Sequence, residues 1–381
     1  MYKYLTFILL IAPLVGLSQA KLGFQQTDSL TYQYYLKGEW KNLIALSKQA
    51  FNQKIDSKFM RQRAGYAYYM TGDFTAAEIQ FQQALTFDRA DEFTQEYLYF
   101  AALNRGSENS RLFAENLSEE TLNKLEIKPF NPVGLVDTEF NLKTNNSESR
   151  SNQLYYRFGI GTDLGYRLSL YQAVAFLKQD VSNVLYRQPE YVAMLKWNLS
   201  PSWRLKATYH YLYTNDGYTA YPGNLGLLAL STQINRFSLE GSGSLLKSPF
   251  ATTSQVQLQA GVVLPGKSNF YLTSSLAGIA EEGVARLIFS QTAGLKCTEK
   301  LWAEGNITLG NLKNYNTFNA LYIYNSADPS IFRTGCSLIY FAGKHLSLVG
   351  NFTFDQLQIE NSTVISNYYQ YSFSGGIKWR L

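Results

Sequence analysis

The chain has 381 residues, of which 46% are hydrophobic, 15% aromatic and only 17% charged, with a formal net charge of +5. So small a charge excludes a nucleic-acid-binding protein of the basic type, and the aromatic content excludes a disordered chain. The 29 tyrosines among so few charged residues favour a surface that meets lipid in one band and water at its edges.

The first 20 residues have the pattern of a secretory signal peptide. Lys3 precedes an apolar core from Leu5 to Leu17, and Ser18 and Ala20 are the small residues that a signal peptidase reads. A transmembrane anchor is the alternative, but the apolar run is too short for one, since a membrane helix needs roughly 20 apolar residues. We therefore expect cleavage after Ala20.

Glycines spaced 34 residues apart, at positions 38, 72 and 106, predict helical repeats in residues 28–125. This is the period of a tetratricopeptide repeat, in which a glycine turns the chain between two antiparallel helices. The candidate packing residues of the repeats are Gly38, Gly65, Tyr68, Gly72, Ala77, Phe81 and Ala84. A generic pair of helical hairpins is the alternative. Such repeats bind peptide or protein on a concave face and pack against one another, so we expect a protein partner, and the helices need not touch the rest of the chain.

From about Gly134 to the last residue, apolar and polar residues alternate. In "QVQLQAGVVL" (255–264), for example, aliphatic residues occupy one face and three glutamines the other. The strands are ten or more residues long, whereas strands of soluble proteins peak near about five or six and strands that cross a bilayer need about 9–11. A β-sandwich is the alternative. We predict that residues 132–381 form a transmembrane antiparallel β-barrel, closed because an open edge in lipid leaves backbone groups unpaired.

The predicted barrel has fourteen strands, with twelve or sixteen as alternatives. Counting "NALYIYNS" (319–326) as a wall strand gives fifteen, which would place the C-terminus and the helices on opposite sides of the membrane. We therefore assign this segment to a long outer loop that extends above the wall. The fold class is thus α + β multidomain, a short tetratricopeptide-like helical domain followed by a barrel.

Strand parity assigns charged side chains to the lumen, eleven cations against six anions. The cations are Arg157, Arg167, Lys196, Arg204, Lys206, Arg236, Arg286, Lys296, Arg333, Lys378 and Arg380, and the anions are Asp137, Glu139, Asp163, Glu240, Glu304 and Asp355. This excess of positive charge is typical of an anion-favouring pore. The alternative is a packed, ion-paired interior that conducts nothing.

The sequence gives no support to catalysis. Only two histidines occur, His210 in the middle of a strand and His345 beside a turn, and neither belongs to a serine–histidine–acid set. The chain also lacks metal-ligand spacing and a phosphate-binding glycine loop. We expect no enzymatic activity, no metal and no cofactor. By parity the two cysteines, Cys297 and Cys336, face lipid on the tenth and twelfth strands, too far apart for a disulfide.

The ending "GGIKWRL" resembles the C-terminal signal of bacterial outer-membrane proteins. Gly376, Trp379 and Leu381 occupy its glycine, aromatic and terminal positions, with leucine in place of the more frequent phenylalanine. The resemblance implies that the barrel-assembly machinery reads this strand. We expect the strand to close the barrel against the first one.

The whole chain resembles a Gram-negative outer-membrane β-barrel protein with an N-terminal periplasmic tetratricopeptide-like domain, the architecture of YaiO-like barrels. This resemblance implies a location in the outer membrane, in contact with its lipid, with the helices in the periplasm. It implies a pore or transport channel with a docking domain for a periplasmic protein. A non-conducting scaffold of an assembly or secretion complex is the alternative, and the sequence leaves both open.

Overall fold

A computed structural model describes residues 22–107, 109–317, 319–325, 328–360 and 365–381. The predicted signal peptide lies outside the described residues. The described chain forms seven helices followed by fourteen strands in one closed antiparallel barrel, which confirms the predicted fold class and strand number. None of the described helices combines the length and the apolar character needed to span a bilayer.

The helices stack as antiparallel neighbours before the barrel begins. They are α1 (Phe24–Lys37), α2 (Trp40–Asn52), α3 (Lys58–Met70), α4 (Phe74–Phe87), α5 (Glu92–Asn104), α6 (Ser110–Ala114) and α7 (Glu119–Lys124). Ser57, Asp73 and Asp91 cap the first turns of α3, α4 and α5, because each side chain accepts a hydrogen bond from a backbone N–H of that turn. These caps fix where each helix starts.

The three equally spaced glycines reverse the chain after α1, α3 and α5. Gly38, Gly72 and Gly106 have φ angles of +68°, +80° and +74°, in the left-handed region that favours glycine. Within the stack, α3 approaches α4 so closely that a Cβ on Gly65 would lie 2.7 Å from the ring of Phe81.

The helical domain has one apolar core between α4, α5 and α6 and a second between α2 and α3. Ala77, Phe81 and Ala84 are completely buried, and Tyr68 packs against the same core from α3. The residues that the sequence singles out as packing positions therefore lie at the helix contacts or at the turns between helices.

The strands run antiparallel from one neighbour to the next around the barrel. They are β1 (Phe130–Asn145), β2 (Gln153–Leu164), β3 (Leu168–Val181), β4 (Val184–Asn198), β5 (Trp203–Asn215), β6 (Ala220–Ile234), β7 (Phe237–Lys247), β8 (Thr252–Val263), β9 (Tyr271–Glu281), β10 (Val284–Thr298), β11 (Leu301–Leu309), β12 (Ser330–Phe341), β13 (Leu346–Glu360) and β14 (Ile365–Arg380). β14 pairs with β1 from Leu135↔Arg380 to Asn145↔Gln370. The last strand closes the barrel against the first, as the sequence predicts.

The outer wall of the barrel is apolar, with aromatic residues near both ends. We call the end at which β1 begins the helix end and the opposite one the far end. Exposed aromatic side chains at the helix end include Trp197, Trp203, Phe237 and Trp379, and those towards the far end include Tyr156, Tyr369 and Tyr371. Such a band with aromatic edges suits a bilayer and its two interfaces. Cys297 and Cys336 are free and exposed on β10 and β12.

Candidate functional site: the lumen and its internal hairpin

The connection between β11 and β12 turns into the barrel instead of rising above it. Its residues 312–325 form a hairpin, which we call the lumen hairpin, with residue 318 outside the described part of the chain. The backbone N–H groups of Asn314 and Tyr324 donate to the carbonyls of Tyr324 and Tyr315, each at 2.8 Å. Our placement of residues 319–326 above the wall is therefore wrong for 319–325, and residue 326 is not described.

The lumen hairpin crosses the barrel from wall to wall. On one side the Tyr322 hydroxyl donates to Glu139 of β1, and on the other Gln257 of β8 donates to the Tyr315 hydroxyl at 3.0 Å. β1 and β8 lie seven places apart in the ring of fourteen strands, on opposite walls. A segment bonded to both walls obstructs the space between them.

The tip of the lumen hairpin reaches the half of the barrel nearer the helix end. Lys206 donates to the Asn319 side chain at 2.9 Å, and it lies only three residues from the start of β5. His210, which is completely buried, places Nδ1 2.7 Å from the Ala320 carbonyl and Nε2 3.2 Å from the Glu190 carboxylate. Because the carbonyl only accepts, Nδ1 carries a proton, and the histidine holds the tip in place as a structural residue.

Two apolar clusters also hold the lumen hairpin. Leu312 and Tyr315 pack against β9 and β10 at Ala277, Ile279 and Ile288. Ala320 and Ile323 pack against β5, β6 and β7, in a cluster that contains Leu212, Leu225, Leu227, Ala229 and Leu246. A fully buried aliphatic side chain contributes about 1.5–3 kcal/mol, so burial as well as hydrogen bonds stabilises the position of the lumen hairpin.

Most of the predicted lumen charges inside the barrel are neutralised by partners on its wall. Four ion pairs are Arg157–Glu139 at 2.9 Å, Lys206–Glu240 at 2.6 Å, Arg286–Glu281 at 2.9 Å and Arg333–Asp355 at 3.3 Å. Glu304 accepts a hydrogen bond from Tyr271, Lys378 lies opposite Asp137 in the β1–β14 ladder, and Lys196 lies opposite Lys206 in the β4–β5 ladder. Four cations of this interior, Arg157, Lys206, Arg286 and Arg333, are therefore held in ion pairs.

Three other predicted lumen cations bind the helical domain at the helix end. Arg236 pairs with Asp73 at 2.9 Å and Arg167 with Glu115 at 2.8 Å, and Arg204 donates to Asn109. Arg167 and Arg236 lie in turns between strands and not on the wall, which differs from our assignment. Further contacts join Arg111 to Asp163, Asn109 to the Pro201 carbonyl, and the Lys296 ammonium to the ring of Phe74.

The helical domain is therefore docked across the helix end of the barrel, a contact that the packing of the repeats against one another does not itself require. A polar cavity of about 130 Å³ remains between Asn109 and strands β5–β8. No sequence pattern signals this contact, because the partners are far apart in the chain, Asp73 and Arg236 by 163 residues and Asp73 and Gly266 by 193.

Sequence reasoning also missed Lys143, Glu190 and the lumen hairpin itself. Lys143 lies on the same face of β1 as Asp137 and Glu139, so the parity rule would have found it. The lumen hairpin alternates in the same way as a wall strand, so no sequence signal distinguishes the two. Among the described residues, no cluster of three or more histidine, cysteine or acidic side chains is placed to hold a metal ion.

No protein family model and no curated protein matches this chain. Among solved structures, the outer membrane protein Omp33 of Acinetobacter baumannii is 10% identical with a TM-score of 0.37, over 65% of this chain and 99% of that one. The P. putida toluene transporter TodX is 6% identical with a TM-score of 0.47, over 66% and 91%. A bacterial polysaccharide outer membrane secretin is 8% identical with a TM-score of 0.41, over 66% and 100%.

These similarities concern the fold alone. The fold and its surface define a β-barrel protein of the outer-membrane type, since the barrel is closed, its outer wall is apolar and its lumen is polar.

Proposed function

We propose that this protein is an outer-membrane channel or transporter that is held closed by two separate parts of its own chain. The lumen hairpin closes the barrel from within, and the helical domain covers the helix end. The observation that carries the proposal is the lumen hairpin, which is bonded to opposite walls of a polar lumen. A barrel filled by its wall side chains alone has no need of such a segment.

The helical domain serves in this proposal as a periplasmic docking module of the tetratricopeptide type. The left-handed glycines at equal spacing and the Gly65–Phe81 contact support this assignment. A periplasmic protein that binds the helices could release them from the barrel, because the contacts between the two parts are chiefly polar. We propose residues 1–20 as the export signal and the strand that ends in Gly376, Trp379 and Leu381 as the signal read by the assembly machinery.

Single-channel recording in planar bilayers tests the proposal. In the test variant, residues 313–327 are replaced by a four-residue Gly–Ser turn, which is long enough because Leu309 and Phe332 already face each other in the β11–β12 ladder. We expect the wild type to be closed for most of the recording and the variant to conduct steadily. In the matched control, the far-end connection 216–219 is replaced by the same turn, and the wild-type record should persist.

The alternative, a non-conducting scaffold, is favoured by the paired charges of the lumen. If the variant without the lumen hairpin keeps the heat-modifiable gel mobility of a folded barrel but passes no more current than the wild type, the channel proposal fails and the scaffold is preferred.

A further inference from the structure

Three side chains on the lumen face of β1 and β2 carry hydrogen-bond donors that no described residue accepts. Tyr155 is 7% exposed and the Arg157 side chain 9%. The Tyr155 hydroxyl and the Nε and Nη1 atoms of Arg157 have no partner in the described part of the chain, and the same holds for the half-buried Lys143 ammonium. Buried donors are nearly always paired, so these groups point to an acceptor that comes from outside the chain.

The β1–β2 ladder places the three donors together. Tyr155 lies opposite Asn141 and Arg157 lies opposite Glu139. Lys143 is two residues further along β1 on the same face, so its Cα is diagonal to that of Tyr155, at about 7–8 Å. The order from the far end is Lys143, Tyr155, Arg157, and a solute that enters from the far end therefore meets Lys143 first.

Two of the three donor groups belong to cationic side chains, Lys143 and Arg157. Arg157 is paired with Glu139 through Nη2 at 2.9 Å, which leaves its Nε and Nη1 for another acceptor. A carboxylate supplies one negative charge and accepts hydrogen bonds from arginine, lysine and tyrosine together.

Tyr322 of the lumen hairpin covers these donors. Its ring centre lies 5.0 Å from Cζ of Arg157 and 6.1 Å from the ring centre of Tyr155. A carboxylate can reach the Arg157 donors only after this ring has moved, so the ligand and the lumen hairpin compete for the same space.

We propose that Lys143, Tyr155 and Arg157 form a binding site for the carboxylate group of a small organic monoanion, and that Tyr322 covers this site in the closed barrel. The proposal rests on the channel function and names the class of solute that the channel takes. By linkage, a monoanion that binds this site favours the state in which the lumen hairpin has moved.

The test measures binding in detergent without any membrane, by ¹⁹F NMR titration of the purified full chain with 4-fluorobenzoate at low ionic strength. The neutral control ligand is 4-fluorobenzyl alcohol. Lys143→Gln should weaken benzoate binding about tenfold or more, since a hydrogen bond to a charged group is lost. Lys247→Gln is the matched control, because Lys247 lies at the far end of β7 on the opposite face of the wall. It should change the affinity for benzoate by no more than about twofold, since a distant exposed charge is largely screened. Tyr322→Ala should strengthen benzoate binding at least about threefold, since the ring that covers the site is removed.

Three outcomes overturn the proposal. They are equal affinity of Lys143→Gln and the wild type, equal binding of the alcohol and the benzoate, and weaker binding after Tyr322→Ala. These results are independent of the bilayer recordings. If benzoate binds but the variant without the lumen hairpin passes no current, the carboxylate site is supported and the channel proposal is refuted. If that variant conducts but benzoate does not bind, the channel is supported and the carboxylate site is refuted.

Discussion

The contact between Asp73 and Arg236 should hold the helical domain on the barrel, and Asp73→Asn tests it. Asp73 caps α4 by accepting from the Ala76 N–H at 3.1 Å. The same carboxylate accepts from Nη2 of Arg236 at 2.9 Å on each oxygen and from the Gly266 N–H at 3.3 Å. Asparagine keeps the cap but removes the charge, whereas alanine removes both.

The expected size of the effect follows from these contacts. The two side chains are only 12% and 19% exposed, so solvent screens them little, and the loss of a charge-assisted hydrogen bond costs about 1.5–3 kcal/mol. The loss of the cap costs about 1 kcal/mol more. Asp73→Asn should therefore weaken docking by about 1.5–3 kcal/mol, and Asp73→Ala should cost about 1 kcal/mol more in the stability of the helical domain.

Hydrogen exchange separates docking from helix stability. Amides in the two contacted turns, 234–238 and 264–268, should exchange faster in Asp73→Asn and Arg236→Gln, and the two substitutions should not be additive because they remove the same pair. Asp91→Asn is the matched control, since Asp91 caps α5 and pairs with Lys58 inside the helical domain. It should leave both turns protected.

Unchanged exchange in Asp73→Asn would show that the ion pair does not hold the domain. Fully additive effects of the two substitutions would show that the residues act separately. Either result refutes the reasoning about this contact.

Three further predictions concern other parts of the chain. Gly65→Ala should lower the free energy of unfolding of the helical domain by about 1–3 kcal/mol, because the added Cβ would meet the ring of Phe81. If circular dichroism shows the same midpoint of urea unfolding as for the wild type, the close packing is contradicted. Burial raises the pKa of the Glu78 carboxyl above its ordinary value of 4.5 despite the neighbouring arginine, so the folded domain binds this proton more tightly than the unfolded chain. The stability of the helical domain should fall as pH rises from 4.5 through the raised pKa. The melting temperature of Glu78→Gln should lack this dependence on pH. If it falls equally in the variant, another group causes the dependence. Leu381→Arg should cost less than about 1 kcal/mol at the edge of the bilayer yet reduce the amount of heat-modifiable barrel in outer membranes, whereas Arg380→Leu should not; equal loss in both would contradict a terminal assembly signal.

The sequence by itself determined the elements and their faces. Alternation at period two decides which side chains of a strand face in and which face out, so the alternation alone assigns Arg157, Lys206 and Asp355 to the lumen. The need to pair every backbone group in lipid decides that β14 closes on β1. The three glycines decide where the helices turn, because left-handed backbone favours glycine whatever the surroundings.

Tertiary structure alone decided which segment crosses the lumen and what covers its end. The alternation of residues 319–325 is the same for a strand that faces lipid and for a hairpin arm between two inner walls, and only the space inside a fourteen-stranded ring makes the second possible. In the same way, the sequence alone indicates only a lumen charge at Arg236, and nothing in it points to Asp73 as the partner. Their contact exists because barrel closure brings a turn 163 residues away against the first turn of α4.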